Sequence, residues 1–377
     1  MITWRAGTVV SLGSTWSGAA EMTVELESPV GAIPAGGTVR ALAYPALVGS
    51  PVIGDRVLLN VSALARGLGT GGYALVVARP DNLPADPSDG PGHLVKARYT
   101  PLQAMVLGVD DQESPHHEVL RDADDLDGLP VVVADLHSAL PAIVAGARFA
   151  AARAGAAPPR VAYVMTDGGA LAAWFSRAVA GLRDAGWIDA CITTGQAFGG
   201  DLEAVTVHTG LLAARHVVGA DVVVVAQGPG NLGTGTRWGF SGVAAGEAVN
   251  AAAALGGRPV ASLRVSGADE RERHLGVSHH SLTAYGRVAL AAADVVVPVF
   301  DPGPLDGLGH RIDHQAAALS SRHRLVRVPV GADLFSALGG SPVRLSTMGR
   351  GLDADPAAFL TAAAAGVHAV RLDDLTP

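Results

Sequence analysis

The run Asp221-Val222-Val223-Val224-Val225-Ala226-Gln227-Gly228-Pro229-Gly230 decides the fold. Four consecutive valines are apolar on both faces of an extended strand, which suits a central parallel strand covered by helices on both sides. Each fully buried valine contributes roughly 1.5 to 3 kcal/mol, so this short run holds a sizeable part of a core. The glycine-rich stretch that follows it marks the carboxyl end of the strand, where α/β proteins bind their ligands.

Similar strands are expected near residues 104–109, 130–134, 161–165, 190–193, 221–226, 259–263, 294–299 and 325–328, most of them separated by Ala-rich helical patterns. Ser138 is placed to cap a helix ending near Gly155, and Gly169 to open the next one, which Gly186 stops. The expected fold class is α/β, a mainly parallel sheet with helices on both faces. Eight such units also fit a closed (β/α)8 barrel, but the acidic, poorly amphipathic stretch 110–129 favours the open sheet. Short β-prone runs between residues 8 and 78, broken by glycine and proline, predict a small all-β barrel-like domain ahead of it. The proline-rich segment Arg79-Pro80-Asp81-Asn82-Leu83-Pro84 opens a linker, so the expected domains are 1–92 and 93–377.

Composition narrows the function classes. The chain has 377 residues, 49% of them hydrophobic, with 48 glycines and a formal charge of −8. That charge, without a basic stripe, excludes nucleic acid and acidic membranes as expected partners. No uninterrupted apolar stretch reaches about 18 residues, so no membrane span is expected, and the start Met1-Ile2-Thr3-Trp4-Arg5 lacks a secretory pattern; a cytoplasmic location is the default. All but one of the 27 Lys and Arg residues are Arg. The exception, Lys96, lies in a connecting stretch, which speaks against Schiff-base chemistry, and no GxxxxGK[ST] phosphate loop is present. Cys191 is the single cysteine, flanked by apolar residues, and reads as a core hydrophobe.

Candidate chemistry clusters at strand ends: Asp135-Leu136-His137-Ser138, Thr166-Asp167-Gly168-Gly169, Gln227 through Thr236, and Arg264-Val265-Ser266. Gly228, Gly230 and Gly233 formally make GxGxxG, but residues 234–240 intervene before any helix and the next strand ends in Arg264 rather than an acid, unlike a dinucleotide site. A looser reading is an anion nest built by Gln227, Gly228, Gly230, Asn231 and Thr234 with Gly168 and Gly169, assisted by Arg264, His279, His280 and Arg350. Asp135, His137 and Asp167 are the candidate proton-handling group, because a histidine beside a carboxylate suits acid-base work near neutrality. His310 and His314 stand four apart, but His310-Arg311-Ile312-Asp313-His314 lacks the HExxH glutamate, so no metal ligands are assigned.

These motifs, in this order behind a β-rich amino terminus and with Ser278-His279-His280-Ser281 and Ser346 through Gly351, resemble a bacterial family catalogued only as a domain of unknown function. The resemblance implies architecture and supplies no activity. The functional expectation is an enzyme or binding protein for a small phosphorylated or otherwise anionic molecule, with its cofactor unknown and a homo-oligomer an open option. The alternatives are a metal-dependent hydrolase drawing on His137, Asp167, His279, His280, His310 and His314, and a non-catalytic interaction scaffold.

Overall fold

A computed structural model describes residues 1–69, 71–87 and 90–371. It divides into two units, one formed by Met1–Pro91 with Val95–Met105 and the other by Gly92–Leu94 with the chain from Val106 onward.

The first unit is a closed five-stranded barrel of β1 (Trp4–Trp16), β2 (Ala19–Leu26), β3 (Thr38–Ala43), β4 (Arg56–Asn60) and β5 (Ala74–Ala78), in the order β1-β2-β3-β5-β4. All neighbours are antiparallel except β3 and β5. Closure leaves no free edge. Val9, Met22, Val24, Val39, Val57 and Leu59 fill the interior, which is what the alternating, glycine-broken pattern of this stretch predicts. Lys96, a residue of the same unit, is completely buried.

The second unit holds an eight-stranded sheet in which every pairing is parallel. Its strands are β6 (Pro130–Ala134), β7 (Val161–Thr166), β8 (Ala190–Thr193), β9 (Leu202–Glu203), β10 (Val222–Gln227), β11 (Arg258–Ser262), β12 (Asp294–Phe300) and β13 (Arg324–Val330), ordered β9-β8-β7-β10-β6-β11-β12-β13. The sheet is open, so the closed-barrel alternative is excluded. One expected strand is displaced: Ala104–Val106 is a strand outside this sheet. Residue 108 makes only a single parallel bridge to Glu203, the edge position being taken by β9.

The valine run behaves as its composition requires. Val223 and Val225 belong to the core on one face, while Val222 and Val224 belong to the core on the other. Covering the second face are α1 (Leu140–Arg153), α2 (Arg177–Asp184), α7 (Ala332–Gly339) and α8 (Pro356–Arg371). Covering the first are α3 (Val207–Ala213), α4 (Ala244–Ala254), α5 (His279–Thr283), which continues as a wider turn through Ala284–Val288, and α6 (Asp306–Ala316). Two helix starts differ from expectation. No side chain caps α1; Ser138 lies in a short 3-10 turn before it and donates its hydroxyl to Thr347 Oγ1 at 3.0 Å. Ser176, not Gly169, begins α2, its Oγ accepting from Val179 N at 3.0 Å. The reason is that Gly169 is committed to a close approach: a Cβ there would overlap the carbonyl oxygen of Gly228.

Candidate functional site

From β6 the chain steps over one position to β7, runs out to the edge at β9, returns to fill the gap with β10, and then crosses to β11. The direction of winding reverses around the adjacent strands β10, β6 and β11, and loops leaving such neighbours diverge to open a crevice. Two buried tyrosines fasten this region. Tyr163 donates its hydroxyl to Gln227 O at 3.0 Å, and Tyr285 donates to Val133 O at 2.8 Å and Ser262 O at 3.1 Å. Burial pushes both phenols well above their ordinary range, so they remain donors.

A cavity of about 500 Å³ opens at these strand ends. Residues 136–138 after β6, Gln227 to Asn231 with Gly233 and Gly235 after β10, and Arg264 after β11 form part of its wall. Arg271, Arg273, His274, His279 and His280 form another part, and Arg344 with residues 346–348 closes it. Four arginines and no carboxylate line it, in a chain whose acidic residues outnumber its Lys and Arg by 35 to 27.

Arg264 reaches deepest. It is half-buried, donates from Nη1 to His280 Nδ1 at 3.0 Å, and faces the buried Asp135 as its counter-charge. Burial lowers its pKa from the usual value, an effect Asp135 opposes. Asp135 is only 2% exposed and its Oδ2 has no hydrogen-bond partner. Its pKa is pushed up to about 6, chiefly by burial, with Arg264 pulling the other way. Arg350 lies behind the wall rather than on it. Its guanidinium meets Asp355 Oδ2 at 3.2 Å and Asp269 Oδ2 at 3.4 Å, while Asp269 also holds Arg271 through two 2.8 Å contacts. The Arg271 guanidinium keeps the Asp269 carboxyl far below the ordinary carboxylate range. Arg350 therefore supports Arg271, and Arg271 faces the cavity.

His274, His279 and His280 group together, one ring nitrogen of each lying within 4.8 Å of the others. They could hold a metal, as could His93, Asp111 and Glu113, a more exposed group that does not line the cavity. Burial, followed by the nearby arginines, lowers the pKa values of the three cavity histidines, to about 4 for His274 and about 3 for His280. They are neutral at physiological pH, as ligation requires. Arg264 sets a limit, however. A guanidinium has only donors, so His280 Nδ1 accepts and the ring proton sits on Nε2. With Phe240 stacked on that ring at 3.9 Å, His280 presents a donor, and a cation binding there requires Arg264 to withdraw. His310 and His314 are exposed on α6 and join no metal-type grouping among the described residues.

Of the candidate proton-handling residues, only His137 lines the cavity, and both its nitrogens are engaged. Tyr163 uses its single proton on β10, so it accepts from His137 Nδ1 at 3.0 Å, and Ser176 in turn donates to Nε2 at 2.7 Å. Burial lowers this imidazole to about 4, in keeping with a neutral linking role. Asp167 is exposed and accepts from Gln196 N at 2.8 Å, away from the cavity. Asn231 shapes the glycine loop by accepting on Oδ1 from Gln227 Nε2, Ser241 Oγ and Gly242 N at 2.8 to 3.2 Å. The loop is less of a nest than its glycines suggest, because the N–H groups of Gly228, Leu232 and Thr234 are spent on Thr166 O, Ser241 Oγ and Gly239 O. Gly168, Gly169 and Thr234 do not line the cavity.

A protein-family model described as a protein of unknown function (DUF3866) matches residues 40–366. The chain belongs to that family. Searches of the curated proteins and of the solved structures found no match. The DUF3866 match spans every residue that lines the cavity and most of the barrel from β3 onward. Sequence reasoning missed Arg271, Arg273 and Arg344 as site residues, since isolated arginines in an Arg-rich chain carry no pattern. His274 carried more signal, recurring with His279 and His280 within seven residues of a strand-loop-helix passage.

The raised pKa of Asp135 gives a stability prediction. A carboxyl whose pKa rises from 3.8 to about 6 on folding binds its proton more tightly in the native state. Its contribution is therefore intact below about pH 4 and is lost as pH climbs through 6. Asp135→Asn keeps the neutral shape, so its stability advantage over wild type should be small at pH 4 and grow to about 1–3 kcal/mol at pH 7. Urea unfolding of both proteins at the two pH values checks this; an advantage that shrinks with pH contradicts the assignment.

Proposed function

We propose that this protein binds a small phosphorylated or otherwise anionic molecule in the cavity above β10, β6 and β11, as an enzyme or as a binding protein. The observation that carries this reading is the lining itself: Arg264, Arg271, Arg273 and Arg344 without any carboxylate. Guanidinium groups grip phosphate and carboxylate in a bidentate fork. At neutral pH the three histidines add N–H donors without adding charge, so selectivity for an anion rests on the arginines. A half-buried Arg264, opposed by a carboxylate whose charge is itself costly, gains when an incoming anion replaces part of that pairing. No helix among the described residues is long and apolar enough to cross a membrane, and a single buried thiol fits the cytoplasm as the compartment we assign.

A second reading, a metal-dependent hydrolase, is favoured by one observation, the grouping of His274, His279 and His280. It stands second because Arg264 occupies the lone pair of His280 Nδ1 and three arginines crowd the same place.

A thermal-shift screen of inorganic phosphate, sugar phosphates, nucleotides and carboxylates tests the primary reading. A ligand at 100 times its dissociation constant adds about 2.7 kcal/mol, which raises Tm by several degrees. A flat response to every phosphorylated compound removes the proposal. Metal content measured on protein purified without chelator separates the second reading, which predicts bound Zn, Mn or Fe.

A further inference from the structure

We infer that the ligand carries two phosphoryl-type groups, one in the Arg264 cavity and one in an adjoining hollow lined by Arg237 and Arg287. This deepens the proposed function and rests on it. The hollow measures about 660 Å³ and shares Gly235, Arg273 and His279 with the main cavity, so the two spaces adjoin. It too lacks any carboxylate; its remaining lining is apolar or hydroxylic, including Leu282, Thr283 and Leu319.

What marks this surface is a concentration of arginines without a carboxylate partner; single ones such as Arg148 and Arg322 stand elsewhere, on an aromatic ring or on backbone carbonyls. Arg56, Arg79, Arg324 and Arg327 each sit on a carboxylate, as expected where acids are in excess. Arg237, Arg273, Arg287 and Arg344 make no ion pair among the described residues and line the two adjoining spaces. Uncompensated cations on both sides of one shared wall repel each other, and an anion on each side relieves that repulsion. Arg273 and His279, on the wall itself, can contact either group. A single phosphate fills a small part of either space, whereas a molecule with two such groups satisfies both sets of arginines at once.

Calorimetric titration of inorganic phosphate, pyrophosphate, tripolyphosphate and fructose 1,6-bisphosphate into wild type and Arg237→Ala/Arg287→Ala decides the matter. The two arginines are exposed, so their removal leaves the fold intact. At least one two-group probe is expected to bind wild type about tenfold or more tighter than inorganic phosphate, the equivalent of one additional charge-assisted contact. The double variant should lose that advantage while its affinity for inorganic phosphate stays within about twofold, as it should in Arg160→Ala just before β7, at the other end of the strands. Tripolyphosphate or pyrophosphate winning identifies directly linked groups; the sugar bisphosphate winning identifies groups on a spacer. Equal binding of one-group and two-group probes overturns the inference, as does equal weakening of all probes in the double variant. Absence of binding by any phosphate probe overturns the anion-site reading itself, a result distinct from the other two.

Discussion

Arg264→Ala combined with Asp135→Asn is expected to weaken inorganic phosphate binding by about 10- to 100-fold, the loss of one or two charge-assisted hydrogen bonds at about 1.5–3 kcal/mol in total. The pairing of substitutions is essential to the reading. Arg264→Ala alone removes the cation that pulls the Asp135 pKa down, so the buried carboxyl takes up a proton more readily and the site changes in charge as well as in donors. A loss of binding in that variant mixes the missing guanidinium with the altered charge of Asp135. With Asn at 135 the buried charge is gone, the fold survives, and what remains is the contribution of the guanidinium to the ligand. Asp135→Asn by itself should bind phosphate somewhat more tightly than wild type, since Arg264 then has no competing carboxylate. Titration calorimetry on the three variants distinguishes these effects, and wild-type affinity in the double variant eliminates Arg264 as the anchor.

Gly366→Ala should destabilise the second unit by about 3 kcal/mol or more. Gly366 on α8 and Gly146 on α1 face each other across a helix contact so close that a Cβ on Gly366 would overlap Ile143 O, and one on Gly146 would overlap Ala363 O. Two magnitudes compete here. Alanine gains about 1 kcal/mol of helix propensity over glycine, while overpacking costs typically 1–3 kcal/mol and more where the obstacle is backbone that has no rotamer to yield. α8 is buried along nearly its whole length, so it has no room to move outward. Urea unfolding gives the sign directly: a stabilised Gly366→Ala protein means that the helices can separate at little cost, against the geometry described.

The parts of the fold that were legible in the sequence are those written in local pattern. Four valines between Asp221 and Ala226 announce a strand covered on both faces, and the positions of β6, β7, β8, β10, β11, β12 and β13 follow from similar runs. The edge was not legible, because Leu202–Glu203 is a two-residue strand with no periodicity, and residues 104–109 look as apolar as a true sheet member. At the site, strand-end residues such as Gln227, Asn231, Arg264 and His279 follow from the rule that ligands gather at carboxyl ends of strands. The role of His137 does not, because it depends on Tyr163 and Ser176, which only folding brings to its two nitrogens. Asp167 illustrates the reverse: an acid in the right motif whose oxygen is drawn off to a backbone amide of the next loop.

The winding reversal at β10 and β6 has a bearing on how the molecule could be divided. Contributions to the main cavity begin at Leu136 and end at Met348, with the inner strands laid down out of spatial sequence. A nascent chain released up to β9 has the outer sheet but not the strand that belongs between β7 and β6, and cannot yet enclose a ligand. Recognition is thus acquired late in synthesis and all at once, so truncation from the carboxyl side should abolish it before much of the sheet is lost.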